Sequence, residues 1–236
     1  MQIEQLTYRD GDLPLRGTLA REEGEAVFRP GVLIVHAARG LDPETKRRAE
    51  MIARLGYVAL AVDLYGNGFL AESMEEARKW MDPLRDNPGK LRARIQAGLE
   101  ALVAQAGVDR NRIAAIGYCL GGTTVLELAR SGADIGGVVS FHGGLKTKAP
   151  AESGLVRAKI LVLTGAEDPV IPPAEVAAFE DEMRRAGTDW QVTLYGGAKH
   201  GFTQPKGANY QEAADRRSWE AMRTFFQEIF GEAGRD

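Results

Sequence analysis

Cysteine, histidine and net charge are all scarce in this 236-residue chain, and each scarcity narrows the reading. One cysteine cannot close an internal disulfide, and a free thiol suits reducing surroundings, so the cytoplasm is the expected compartment. The three histidines show no HxxxH spacing and no CxxC pair exists, so no metal is expected. The 30 basic residues nearly balance 33 acidic ones, giving a net charge of −3. No stretch reads as a basic stripe, so neither nucleic acid nor an anionic membrane is an expected partner. No apolar run approaches the roughly 18 residues of a membrane span. The opening MQIEQLTYRDGD lacks a basic region followed by an apolar core, so it is not expected to be a secretion signal.

What is present is a globular composition, 44% hydrophobic and 27% charged. That length suffices for a single α/β domain over residues 1–236, as a monomer or small homo-oligomer. Alternating segments from Ile3 to Tyr8 and from Leu13 to Leu19 flank Asp10-Gly11-Asp12 and predict an N-terminal hairpin. Beyond it, buried-strand patterns alternate with amphipathic helices. Strands are expected over Gly31–His36, Tyr57–Tyr65, Arg112–Ile116, Ile135–Gly144, Ala158–Pro169 and Trp190–Gly197. Helices are expected over Pro43–Leu55, Thr123–Arg130, Pro173–Ala186 and Ala208–Phe230. A charged helical stretch from Ala71 to Gln105 is expected to break around Pro83 and at Asn87-Pro88-Gly89. Such β–α alternation predicts a mostly parallel sheet with helices on both faces.

The lone cysteine stands between a strand and a helix in Gly117-Tyr118-Cys119-Leu120-Gly121-Gly122. Gly-x-Cys-x-Gly is the nucleophile-elbow pattern with sulfur in place of the serine oxygen. Glycines two positions either side let the backbone turn sharply and let neighbouring elements approach. At a helix N-terminus, the dipole and the unpaired N–H groups favour a thiolate and a developing oxyanion. The plainer alternative is a small buried cysteine behind a strand.

A cysteine nucleophile needs a base, and the base needs an orienting group. His200 sits in the glycine-flanked loop after the last strand, where the Ser/Cys–Asp–His order places the base. His142, after the strand that follows the elbow, reads as a backbone partner or pocket wall, and His36 as a structural hydrogen-bonder. The acid should close a strand between Cys119 and His200, which points to Asp168, with Glu167 as its competitor. Adjacent residues of an extended segment face opposite ways, so only one of the two can serve. Glu175 and Asp181 read as solvated carboxylates on a helix face. Gly66-x-Gly68-x-x-Ala71 matches a dinucleotide fingerprint, but its strand is not the first of the parallel series and no ribose-binding acid follows. No cofactor is expected.

Taken together, GYCLGG, the Gly165–Pro173 segment GAEDPVIPP, KHGF at Lys199–Phe202 and the tail Asn209–Phe230 resemble the dienelactone hydrolase family of the α/β-hydrolase superfamily. The likeness extends to VLIVH and RRAEMIARLGYVALAVDLYG near the start. It implies an α/β-hydrolase fold, with Cys119 as nucleophile, His200 as base and Asp168 as orienting acid. It also implies an oxyanion hole from the N–H groups of Leu120 and Ala38. Two positions depart from the family pattern: Ala37 stands where a glutamate is common, and Gln204 where dienelactone-cleaving members carry an arginine. Arg39 and Arg78 are alternative sources of positive charge, and His36, Ala37, Arg39, Tyr118, His142, Phe202 and Gln204 are candidate pocket residues.

The expected activity is cysteine-dependent hydrolysis of ester or lactone bonds in small molecules. A thioesterase or acyltransferase would use the same covalent step, and a catalytically silent fold that only binds a small ligand is the rival of another class.

Overall fold

The structure, a computed structural model, describes residues 1–24 and 28–231. Strands β1 (Gln2–Asp10) and β2 (Leu13–Arg21) form the hairpin, which turns at Gly11 with φ +55°. Six further strands follow: β3 (Arg29–Val35), β4 (Val58–Val62), β5 (Val108–Tyr118), β6 (Gly137–Phe141), β7 (Lys159–Gly165) and β8 (Trp190–Tyr195). They make one sheet in the order β1-β2-β4-β3-β5-β6-β7-β8. The β1–β2 and β2–β4 pairs are antiparallel and all others parallel. This is the mostly parallel sheet that the β–α alternation predicts, in the α/β-hydrolase fold that the resemblance implies.

The helices are α1 (Pro43–Ala53), α2 (Met74–Arg85), α3 (Pro88–Val103), α4 (Leu120–Arg130), α5 (Pro173–Ala186) and α6 (Glu212–Phe230). Because strand side chains alternate, each central strand feeds two cores. Leu33, Leu60, Ala115, Val138 and Val162 meet the inner faces of α2 to α5. Ile34, Ala61, Ile116, Val139 and Leu163 meet α1 and α6 through Ile52, Met222 and Phe226. Burying each large aliphatic side chain contributes about 1.5–3 kcal/mol, so the central strands are the most costly part of the fold to disturb.

Several element boundaries differ from the sequence expectation, each for a visible reason. Strand β4 ends at Val62 rather than Tyr65 because the buried Asp63 carboxylate turns the chain. It accepts N–H bonds from Arg16, Tyr65, Gly66 and Gly68. The Gly66 and Gly68 amides that a dinucleotide phosphate would need are therefore already engaged. Pro83 does not break α2; it sits two residues from the end, where its missing N–H forfeits a single helical bond. The break falls at Asn87, whose side chain caps α3 by accepting the Lys90 N–H at 3.0 Å. Helix α4 starts at Leu120, three residues earlier than expected, directly behind the cysteine. Helix α6 starts at Glu212, after a turn in which the Tyr210 N–H bonds the Gly207 carbonyl. Among the described residues no helix is long and apolar enough to cross a membrane.

Candidate active site

The turn from β5 to α4 is a single residue, Cys119, with φ 53° and ψ −112°. An L residue occupies that region only under strain, which here is held by the elements packed on both sides. The flanking glycines explain how. A Cβ on Gly117 would overlap the Gly121 carbonyl, and one on Gly121 would overlap the Val35 carbonyl. The second contact presses the first turn of α4 against the end of β3, next to Ala37 and Ala38. The Cys119 N–H bonds the Phe141 carbonyl at 3.0 Å, which ties the elbow to β6. Leu120, the first residue of α4, presents an N–H that the helix itself cannot satisfy.

His200 enters from the loop between β8 and α6. Its Nε2 lies 3.2 Å from Cys119 Sγ, and its Nδ1 lies 2.9 Å from Asp168 Oδ2. The other Asp168 oxygen accepts the Val170 N–H at 2.8 Å. Gly165, at the end of β7, allows the two loops to meet, because a Cβ there would overlap the Ala198 carbonyl. Facing a carboxylate, Nδ1 carries a proton, and Nε2 is directed at the sulfur. The Asp168 side chain is wholly buried while Glu167 is exposed, so the structure brings Asp168 and not its neighbour to the histidine.

Burial opposes charge on His200, but the hydrogen bonds to Asp168 and Cys119 outweigh it and raise the imidazole pKa to about 10. Burial likewise opposes charge on Asp168, and the bond to His200 together with its positive charge reverses this, lowering the carboxyl. Both neighbours thus favour the protonated form of the His200 imidazole.

Behind it lies a supporting layer. His142 is fully buried, its Nε2 2.9 Å from Thr203 Oγ1 and its ring 5.1 Å from that of His200. Burial, and then the charge of His200, push its pKa down to about 3, so His142 stays neutral. The Thr203 carbonyl accepts from Arg48 at 2.8 Å, and Arg48 is paired to Asp215 and Glu44. Asn209 donates to the His200 carbonyl at 3.0 Å.

The pocket candidates divide. His36, Tyr118, His142 and Phe202 are buried, with His142 packed edge-on against His200. Ala37 is half-buried and Ala38 buried. Arg39 is exposed, but its guanidinium is bonded to the Ala71 and Glu72 carbonyls. Gln204 is exposed, its amide lying over Gly201 and Gly207 of its own loop. Arg78 is exposed on α2.

Sequence reasoning did not single out Arg48, Tyr65, Phe69 or Trp80. Arg48 was findable: with Thr45, Ala49 and Ile52 it falls on the buried stripe of α1, where an arginine needs partners. Tyr65 donates its hydroxyl to the Ala38 carbonyl at 2.6 Å. It begins an aromatic wall that continues through Phe69 and Trp80, with ring centroids 6.3 and 6.1 Å from that of Tyr65. Among the described residues no group of three or more His, Cys, Asp or Glu could hold a metal ion.

Comparison with known proteins bears on the family and the fold. The model of the dienelactone hydrolase family matches residues 15–230. The solved structure of a protein named m3DLH is 43% identical, covers 97% of this chain and 98% of its own, and superposes with a TM-score of 0.92. The dienelactone hydrolase-like promiscuous phosphotriesterase P91, from metagenomic libraries, is 38% identical. It covers 98% of this chain and 99% of its own, with a TM-score of 0.93.

Proposed function

The chain belongs to the dienelactone hydrolase family, and from that premise we propose that it cleaves small-molecule esters or lactones through an acyl-enzyme on Cys119. That it is a carboxylic ester hydrolase follows from the family; the covalent route and its residues are our reading. The observation that carries this reading is the 3.2 Å contact between Cys119 Sγ and His200 Nε2, with Asp168 on the far side of the imidazole.

In the proposed sequence the Cys119 thiolate attacks the carbonyl carbon, and the carbonyl electron pair moves onto oxygen. The N–H groups of Leu120 and Ala38 hold that oxyanion. Collapse re-forms the carbonyl and breaks the carbon–oxygen bond to the leaving group, whose alkoxide takes the proton from His200 Nε2. A water then attacks the thioester, gives its proton to His200 and releases the acid and the thiolate. Asp168 holds the imidazole in the tautomer that both steps need.

The substrate class we infer is neutral. Arg39 is occupied by backbone carbonyls, and Gln204 offers an amide rather than a cation. Tyr65, Phe69 and Trp80 supply an apolar wall beside Ala38, which suits an alkyl or aryl group. With p-nitrophenyl acetate, one equivalent of p-nitrophenol should appear in a burst and vanish in Cys119→Ala. Undiminished turnover in that variant overturns the covalent role.

A second reading is favoured by the 38% identity to a protein named as a promiscuous phosphotriesterase. In it the same thiolate displaces an aryl alkoxide from a phosphotriester, leaving a phosphorylated cysteine. Release of p-nitrophenol from paraoxon, lost in Cys119→Ala, tests it.

A further inference from the structure

His36 is fully buried at the end of β3, and both of its ring nitrogens are engaged by the backbone. The Leu64 N–H approaches Nε2 at 3.2 Å. A backbone amide only donates, so Nε2 holds the lone pair and the ring proton sits on Nδ1. That Nδ1–H donates to the Ala37 carbonyl at 2.7 Å. The Ala37 carbonyl and the Ala38 N–H belong to one planar peptide unit and point in opposite directions. Holding the oxygen on the buried side therefore turns the N–H to the other. Accepting a hydrogen bond also polarises the amide and strengthens its N–H as a donor. The Gly40 N–H reaches the same oxygen at 3.3 Å, closing a tight turn. The next peptide is held too, by the Tyr65 hydroxyl on the Ala38 carbonyl at 2.6 Å, with the Tyr65 ring edge-on to His36 at 4.9 Å.

The structure assigns His36 a positioning role in the reaction: it aims the Ala38 N–H at the substrate oxyanion by anchoring the opposite end of the same peptide unit. This rests on the reading above, in which Ala38 contributes to the oxyanion hole. His36 does not touch substrate; it acts through the peptide. Its neutral, Nδ1-protonated form is the only one compatible with both bonds, and burial, which lowers its pKa, preserves that form.

Two substitutions split the ring's two functions. His36→Asn places an amide where Nδ1 was, keeping a donor for the Ala37 carbonyl while giving up the acceptor for Leu64. His36→Gln reaches towards Leu64 and vacates the Nδ1 position. Each loses one backbone partner, so a merely structural role predicts equal damage. The positioning role predicts that His36→Gln loses about tenfold to a hundredfold in kcat with KM nearly unchanged, a fraction of what losing a whole oxyanion donor costs. It predicts that His36→Asn retains most of kcat. Iodoacetamide alkylation of Cys119 forms no oxyanion and should run at the parental rate in both.

Equal losses in the two variants, or parental kcat in His36→Gln, overturn the assignment. Full activity in Cys119→Ala would instead remove the covalent reading on which it rests. If His36→Gln does not fold, the parent decides. On adding a trifluoromethyl ketone, which forms a tetrahedral adduct with the thiol, the Ala38 amide and His36 Nδ1 proton resonances should both move downfield. A stationary His36 proton overturns the proposal.

Discussion

Replacing Asp168 by asparagine changes one atom, yet the surroundings leave the amide no comfortable orientation. The side chain is wholly buried, with one oxygen accepting from His200 Nδ1 at 2.9 Å and the other from the Val170 N–H at 2.8 Å. Both neighbours are donors, so an asparagine satisfies only one with its carbonyl oxygen. If the oxygen stays on Val170, the NH₂ faces Nδ1, and the imidazole must move its proton to Nε2. The ring then cannot accept a proton from the thiol. If the oxygen faces His200 instead, the NH₂ opposes the Val170 N–H, and an unsatisfied buried donor costs about 1–3 kcal/mol. The first arrangement is therefore preferred, and it is the inactive one. A wrong tautomer of this kind lowers kcat by about 10³–10⁴, or roughly 4–5.5 kcal/mol of transition-state stabilisation. The same substitution removes a carboxylate that raises the His200 pKa to about 10, so the imidazole should titrate lower in the variant. Stopped-flow release of p-nitrophenol measures the first effect, and a histidine NMR titration the second. A variant with near-parental acylation and an unmoved His200 titration would refute the argument and pass the orienting role to another group.

Cys119→Ala and His200→Ala should each remove most ester hydrolysis, and the double variant should be little worse than either, because coupled groups fail as a unit. Losses that multiply would show independent roles. Matched neutral and carboxylate-bearing esters should differ in kcat/KM in favour of the neutral one, since Gln204 is uncharged, the Arg39 guanidinium is already bonded to backbone carbonyls, and desolvating a carboxylate there goes uncompensated; a preference for the acid contradicts this. Stability should decline in acid through His142, whose pKa falls to about 3 in the folded protein. The unfolded chain takes up its proton near pH 6.5, so this contribution is intact above that pH and is lost as pH drops towards 3, up to about 5 kcal/mol. Urea midpoints at pH 7 and pH 4.5 measure it, and His142→Asn should show the shallower decline; parallel declines would refute the assignment.

Much of the site was legible because its signals are local. Gly117 and Gly121 stand two residues either side of Cys119 since the turn needs both gaps, and that requirement is written in consecutive residues. The period-two strands and the Asn87–Pro88 break are local in the same way, as are the glycines around His200. Where Pro83 falls in its helix was not, because a proline near a helix end costs too little to stop it.

Tertiary structure decided what depends on residues distant in the chain. Which of Asp168 and Glu167 lies against His200 depends on the packing of the β7 loop on Ala198, which buries one carboxylate and leaves the other in water. The fate of Arg48 was settled by Thr203 and Asp215, more than 150 positions away. The role of His36 depends on Leu64, brought alongside by the pairing of β3 with β4. A sequence specifies which groups can bond and where the chain must turn. Which donor meets which acceptor is fixed only when non-adjacent strands bring their ends to the same edge of the sheet.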